Sequence, residues 1–243
     1  YFISNQSDEA LNIKPTFRVN ELSPQLWDAV TGEMRILNDF SAEAGTTTIP
    51  LKLNAQQSYF VVFSKQKNDK TKPGYAANFP DSDILLTLDS EWTINFHNKD
   101  IGPSNPLKTS VLTDWTLSAD DKVKHNSGTA SYTSTFYLDE LPENGDYLLN
   151  LGHVGVMASA KLNGEELGGA WIAPFIIPLN GQLKQGENLL ELEVVNIWRN
   201  RMVKDKSLPE NQKYTWTSVD DVQAGESLLS SGLMGPVRIE ILR

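Results

Sequence analysis

The chain has 243 residues, 40% of them apolar and 21% charged, with a net charge of −10 at pH 7. That is enough apolar content for a buried core in one large or two small domains, and an acidic chain with no basic cluster is a poor partner for nucleic acid, a polyanion. The lack of cysteine removes disulfides, Cys-bound zinc and thiol nucleophiles, and no apolar run approaches the ~20 residues a membrane helix needs.

The opening residues YFISN read as a strand, with no initiator Met and no signal peptide. We therefore expect a piece cut from a longer protein. SPQLWD near residue 23 is one of two short helical candidates; part of DDVQAGESLL near 220 is the other. Thr31-Gly32, between LWDAV and EMRIL, predicts a loose hairpin. From there a period of two dominates. Thr47, Ile49, Leu51 and Leu53 alternate with smaller or polar residues, as do Tyr59, Val61 and Phe63. This is the signature of half-buried strands. KQKNDKTK at 65–72 mixes its lysines with Asp and Asn and reads as a solvated linker. It lies in the wider stretch 67–83, which is poor in apolar residues and holds two prolines, the best domain boundary.

Beyond it, Val156, Ala158, Ala160 and Leu162 alternate with Met157, Ser159 and Lys161. Asn163-Gly164 then predicts a two-residue hairpin turn, because both positions tolerate positive φ. Leu190, Leu192 and Val194 alternate with glutamates. No amphipathic helix of twelve residues or more is evident. The expected fold is all-β, two β-sandwich domains over residues 1–75 and 76–243.

Catalytic motifs are missing: no GxSxG, no HExxH, no GxxxxGK[ST]. His97, His125 and His153 are far apart in sequence and read as loop or rim residues. The acidic pairs Asp120-Asp121, Glu165-Glu166 and Asp220-Asp221 place neighbours on opposite faces of a strand, which does not make an acid/base dyad. Asp81-Ser82-Asp83 could offer oxygen to calcium, but solvated turn carboxylates are the simpler reading.

What remains is aromatic and amide-rich. The six tryptophans are Trp27, Trp92, Trp115, Trp171, Trp198 and Trp216. Sugar sites stack rings on aromatic faces and read hydroxyls with planar amide, carboxylate and guanidinium groups. GAWIAPF (169–175), VVNIWRNR (194–201) and KYTWT (213–217) hold such groups. Trp171, Asn196, Trp198, Asn200, Arg201, Tyr214 and Trp216 are thus the candidate carbohydrate-binding residues. Strand register, extended from Leu190, puts Asn196, Trp198 and Asn200 on the core face, so bracing competes with binding there. Arg201 falls just past the strand.

On these residues a resemblance rests. ASAKLNGEELGGAWIAPFIIPLNGQLKQGENLLELEVVN resembles the sugar-binding domain of family 2 glycoside hydrolases, a galactose-binding-like jelly roll. The shared features are the Leu162-Asn163-Gly164 hairpin, the Gly168 to Phe175 segment, and Gly186-Glu187-Asn188-Leu189 running to Asn196. Asn180 stands where the family often has Asp. NIWRNRMVKD, LPENQKYTWT and SGLMGPVRIEIL resemble the C-terminal end of bacterial α-L-rhamnosidase-type glycoside hydrolases. YFISNQSDEALNIKPTFRV, PQLWDAVTGEMRIL and SYFVVFSK resemble the small sandwich that follows their catalytic barrel. The resemblance implies a non-catalytic accessory region of a periplasmic or secreted bacterial enzyme that degrades polysaccharide. Its partners would be carbohydrate and the barrel of the same chain, with no nucleic acid and no membrane. No catalytic residue carries over and no cofactor is called for, a structural calcium aside. The alternatives are a purely structural interdomain module and a free-standing enzyme, the latter requiring two convergent carboxylates.

Overall fold

The structure is a computed structural model that describes residues 1–65, 71–142, 145–179, 181–219 and 221–243. Most of the 65–72 linker, Asn180 and Asp220 therefore lie outside the described residues. The fold is all-β, with antiparallel sheets packed into sandwiches, in two compact units: Tyr1–Asp81 and Ser82–Arg243.

In the first unit a four-stranded antiparallel sheet runs in the order Phe2–Ser4, Ser58–Ser64, Ser23–Trp27, Met34–Ile36. Its inner face contributes Leu26, Tyr59 and Val61 to a core shared with Phe17, Leu37, Ile49, Leu51 and Leu53. The alternation read at Thr47 to Leu53 and at Tyr59 to Phe63 is what places these side chains inside. SPQLWD is a strand rather than a helix. Pro24 and Leu26 face one way and Gln25 and Trp27 the other, and the segment pairs on both sides. Two neighbouring strands supply more burial than one isolated helical turn could. The Thr31-Gly32 hairpin is closed by the Asp28 N–H donating to Glu33 O at 2.9 Å, with Gly32 at φ +73°.

The first unit ends after Asp81, later than residue 75, because Asn78 is clamped into it. The Asn78 amide donates to Asp39 O (2.7 Å) and Pro50 O (3.1 Å) and accepts from the Asp39 N–H (3.0 Å). Phe79 packs on the same core, with the Arg35 guanidinium 5.0 Å from its ring centre. Asp81 pairs with Lys52 at 3.6 Å, and Asp83 pairs with Arg243. Each carboxylate at the Asp-Ser-Asp motif thus has a cation of its own.

The second unit is a larger sandwich. Its six-stranded sheet has the order Leu107–Thr109, Trp92–Phe96, Gly128–Leu138, Gly186–Asn196, Met157–Leu162, Glu165–Ala170. The facing four-stranded sheet has the order Ser82–Thr87, Arg238–Leu242, Tyr147–Asn150, Ile176–Pro178. Leu190, Leu192 and Val194 point into the core between them, as their alternation predicts. Asn163 and Gly164 both hold positive φ (54° and 87°) in the expected hairpin. One end of the core is pinned by the Tyr132 hydroxyl, which accepts from Trp115 Nε1 (2.7 Å) and from the Leu233 N–H (3.2 Å). Burial pushes the Tyr132 pKa up to about 12. The neighbouring Gly232 admits no side chain, since a Cβ there would lie 2.4 Å from the Trp115 indole.

DDVQAGESLL is not helical among its described residues. Among the described residues the longest helix lies elsewhere, at Arg199–Lys206, inside the run expected to continue the strand.

Candidate functional site

The strand Gly186–Asn196 delivers its last residue to a polar junction. Asn196 Oδ1 accepts the Gly128 N–H at 2.7 Å, and Asn196 Nδ2 donates to Asn126 O at 2.8 Å. Its amide closes the end of the ladder, where Gly128 and Asn196 are register partners. A buried amide must satisfy both its ends, and here the backbone does it.

The chain then changes period. Arg199–Lys206, with the sequence RNRMVKDK, is helical, built from Arg, Met and Lys, which have good helix propensity. The strand register therefore does not reach Trp198 or Asn200. Trp198 occupies the N-cap position with αR dihedrals and is turned outward, 42% exposed, rather than lying on the core face. Asn200 is buried for a helical reason, sharing an i, i+3 face with Val203. Its Nδ2 donates to Leu229 O at 2.7 Å and its Oδ1 accepts the Leu229 N–H at 2.8 Å, so the side chain reads the backbone of a neighbouring segment.

One turn on, Asp205 organises the rest. It is 3% exposed. Its Oδ2 accepts the N–H of Tyr214 (3.0 Å), the N–H of Thr215 (2.7 Å) and the Thr215 hydroxyl (2.7 Å). Its Oδ1 pairs with the Arg201 guanidinium at 2.7 Å across one helical turn. Burial alone would raise the Asp205 pKa, but the hydrogen bonds from Thr215 and Arg201 outweigh it and hold the carboxyl below its ordinary value. A carboxylate buried this deeply, held by three donors on one oxygen and a guanidinium at the other, is a strut.

The strut fixes the KYTWT segment against the helix. The Tyr214 ring lies parallel to the Trp198 indole, 11° between planes and 6.0 Å between centres. The Arg201 guanidinium sits 5.8 Å from the centre of the Tyr214 ring, and the Tyr214 hydroxyl accepts from Asn98 Nδ2 at 2.8 Å. Two residues further, Trp216 is 86% exposed. The helix is also tied to Asp121, which pairs with Lys204 at 2.7 Å and His125 at 3.1 Å. The hydrogen bond from Lys204, first among its causes, lowers the Asp121 pKa.

Trp198, Arg201 and Tyr214 are thus gathered into one cluster, with Trp216 at its outer edge. Asn196 and Asn200 lie beneath, spent on backbone. Trp171 is exposed just past the strand Glu165–Ala170 and makes no ring contact with the cluster among the described residues. Sequence reasoning passed over Asp205, Thr215 and Asn98. The available signal was the Arg-x-x-x-Asp spacing of RMVKD, which joins both charges only if the run is a helix. The arrangement can present a rigid aromatic surface with a guanidinium at its side.

Compared with known proteins, the chain matches no family model. It is similar to the solved structure of a rhamnosidase from Novosphingobium sp. PP1Y, with a TM-score of 0.88 and 33% identity over 99% of this chain. It is also 32% identical over 182 residues, 65% of this chain, to a putative β-glucuronidase of Formosa agariphila. The chain spans 22% of the rhamnosidase chain and 16% of the glucuronidase relative. The chain is a region related to glycoside hydrolases, built as an all-β pair of sandwiches.

Proposed function

We propose that the chain is a non-catalytic accessory region of a rhamnosidase-like glycoside hydrolase of polysaccharide-degrading bacteria, secreted or periplasmic. Its second unit, a galactose-binding-like jelly roll in this reading, contacts carbohydrate weakly. The observation that carries the proposal is the Trp198–Tyr214 pair, held parallel and half-exposed by a buried strut. Aromatic faces bind the apolar faces of sugar rings, and a surface fixed in advance loses little entropy on binding. Trp216 extends that surface outward, and Arg201 flanks it with planar donors. Trp171 is a separate exposed indole that a longer glycan would reach. The likeness to the rhamnosidase supports rhamnose-containing plant oligosaccharides as the first ligands to try.

Titration with such oligosaccharides should shift the intrinsic Trp fluorescence of the wild-type chain at millimolar sugar, and Trp216→Ala should weaken the shift. An unchanged spectrum in both proteins sinks the binding role.

A second reading is a structural interdomain module without sugar affinity. It is favoured by a different observation, the uncharged aromatic face of the first unit.

A further inference from the structure

The outer face of the first unit's four-stranded sheet carries a continuous apolar row. Register sets Phe2 opposite Phe60, Phe60 opposite Trp27, and Trp27 opposite Met34, so the row crosses all four strands. Directly paired residues share a face. The flanking positions on that face are serines, Val62, Gln25 and Ile36, and none is charged. In a chain that is 21% charged, a solvent-facing sheet surface would carry Lys and Glu. Phe2 and Phe60 are instead 61% and 42% exposed, with ring centres 5.2 Å apart, while Trp27 and Met34 are half-buried and Gln25 is buried beside the Thr71 hydroxyl, so the open part of the row is its Phe2–Phe60 end. Trp27 is held in place by its Nε1–H, which donates to Gln25 Oε1 at 3.1 Å.

We propose that this row is the docking face for another folded domain of the same polypeptide, which covers it with apolar side chains. The inference rests on the reading of the chain as part of a longer glycoside hydrolase. Three features identify the occupant as protein. Cores of protein interfaces are depleted in charge and enriched in Phe, Trp and Met, as this face is. The Phe2 and Phe60 rings are tilted by 51°, which gives interlocking ridges rather than the flat platform a sugar ring stacks on. The row also begins at the second residue, and the Tyr1 nitrogen is tied to Val61 O at 2.9 Å. In a longer polypeptide, whatever precedes Tyr1 leaves beside Phe2 and meets the row at the high effective concentration of a tethered partner. The similar rhamnosidase has more than enough additional chain for such a domain, since this region is 22% of it.

Hydroxyl-radical footprinting compares the 243-residue chain with the polypeptide encoded by the whole gene. Phe2 and Phe60 should label readily in the first and several-fold more slowly in the second, with the half-buried Trp27 and Met34 following in the same direction. Tyr137, exposed on the charged outer face of the other unit, should label equally in both. Equal labelling of the row in both proteins overturns the proposal. So does protection in the 243-residue chain that rises with its own concentration, which marks a second copy, or protection on adding oligosaccharide, which marks a glycan. The double variant Phe2→Ser, Phe60→Ser should lower the melting temperature of the whole polypeptide clearly more than that of the 243-residue chain, which loses only the Phe2–Phe60 ring pair. An equal drop in both means the rings belong to the unit's own core. A long, active hydrolase whose row stays exposed sinks the docking face alone. Hydrolysis by the 243-residue chain itself sinks the accessory reading, and a gene encoding only these residues sinks both.

Discussion

The two large sheets present opposite kinds of outer surface. On the six-stranded sheet of the second unit the outward residues are Glu191, Glu193, Lys161, Ser131 and Thr133, laced by ion pairs such as Lys161–Glu166 at 2.8 Å and Lys108–Glu91 at 2.7 Å. On the four-stranded sheet of the first unit the outward residues are Phe2, Phe60, Trp27 and Met34, with no ion pair across them among the described residues. The inner faces are alike, closely packed and apolar. Core packing therefore sets which face is inside, but says nothing of what the other face meets. The charged surface is finished against water. The uncharged one is unfinished, and this difference motivates the docking proposal.

The comparison can be broken from its buried side first. Asp205→Ala leaves Arg201 and the N–H groups of Tyr214 and Thr215 without their acceptor, and breaking such a buried pair typically costs about 3–5 kcal/mol. Denaturant unfolding of the second unit should show this loss, and the Trp fluorescence should change as Tyr214 leaves Trp198. The pH dependence has a definite sign. The Asp205 pKa is lowered in the folded state, so its stabilisation is complete above the ordinary carboxylate pKa of ~4 and fades as the pH falls below that, through the depressed folded value. Asp205→Ala should flatten this acid limb.

Next come neighbours on the first unit's strands. Leu26→Ala, on the inner face, should cost about 2–5 kcal/mol. Phe60→Ser, on the outer face of the adjoining strand, should cost only about 0.5–1.5 kcal/mol in the 243-residue chain, for the lost Phe2–Phe60 ring pair. The two midpoints, measured on the first unit's own transition, test whether the row lies outside the core. Trp198→Ala should cost about 0.5–1.5 kcal/mol for the lost ring pair, less than a buried Trp, because the indole is turned outward. The smallest effect belongs to the finished surface. Lys108→Ala should cost about 0.2–1 kcal/mol, and less still in high salt, in the same denaturant assay.

Much of the fold could be read from the sequence. The period-two runs at Tyr59 and Leu190 are inside–outside alternations, and Asn163-Gly164 turns where its φ tolerance says it should. SPQLWD has a composition that suits a helical turn, but its pairing partners are distant: Val61 lies opposite Leu26 on one side and Arg35 on the other. Local pattern cannot see such partners. The candidate site was half visible. Asn196 is where register put it, but register has no way to announce its own end. The switch to helix at Trp198 turned that indole out and brought Arg201 and Asp205 into reach. Only tertiary contacts bring Tyr214 to Trp198.

The central claim, a region that positions but does not catalyse, is tested most directly by hydrolysis of an aryl α-L-rhamnoside. The 243-residue chain and the whole-gene polypeptide are compared at equal molar concentration. The account predicts release of the aryl group by the longer polypeptide and none above buffer by the 243-residue chain. Steady turnover by the 243-residue chain alone would contradict it.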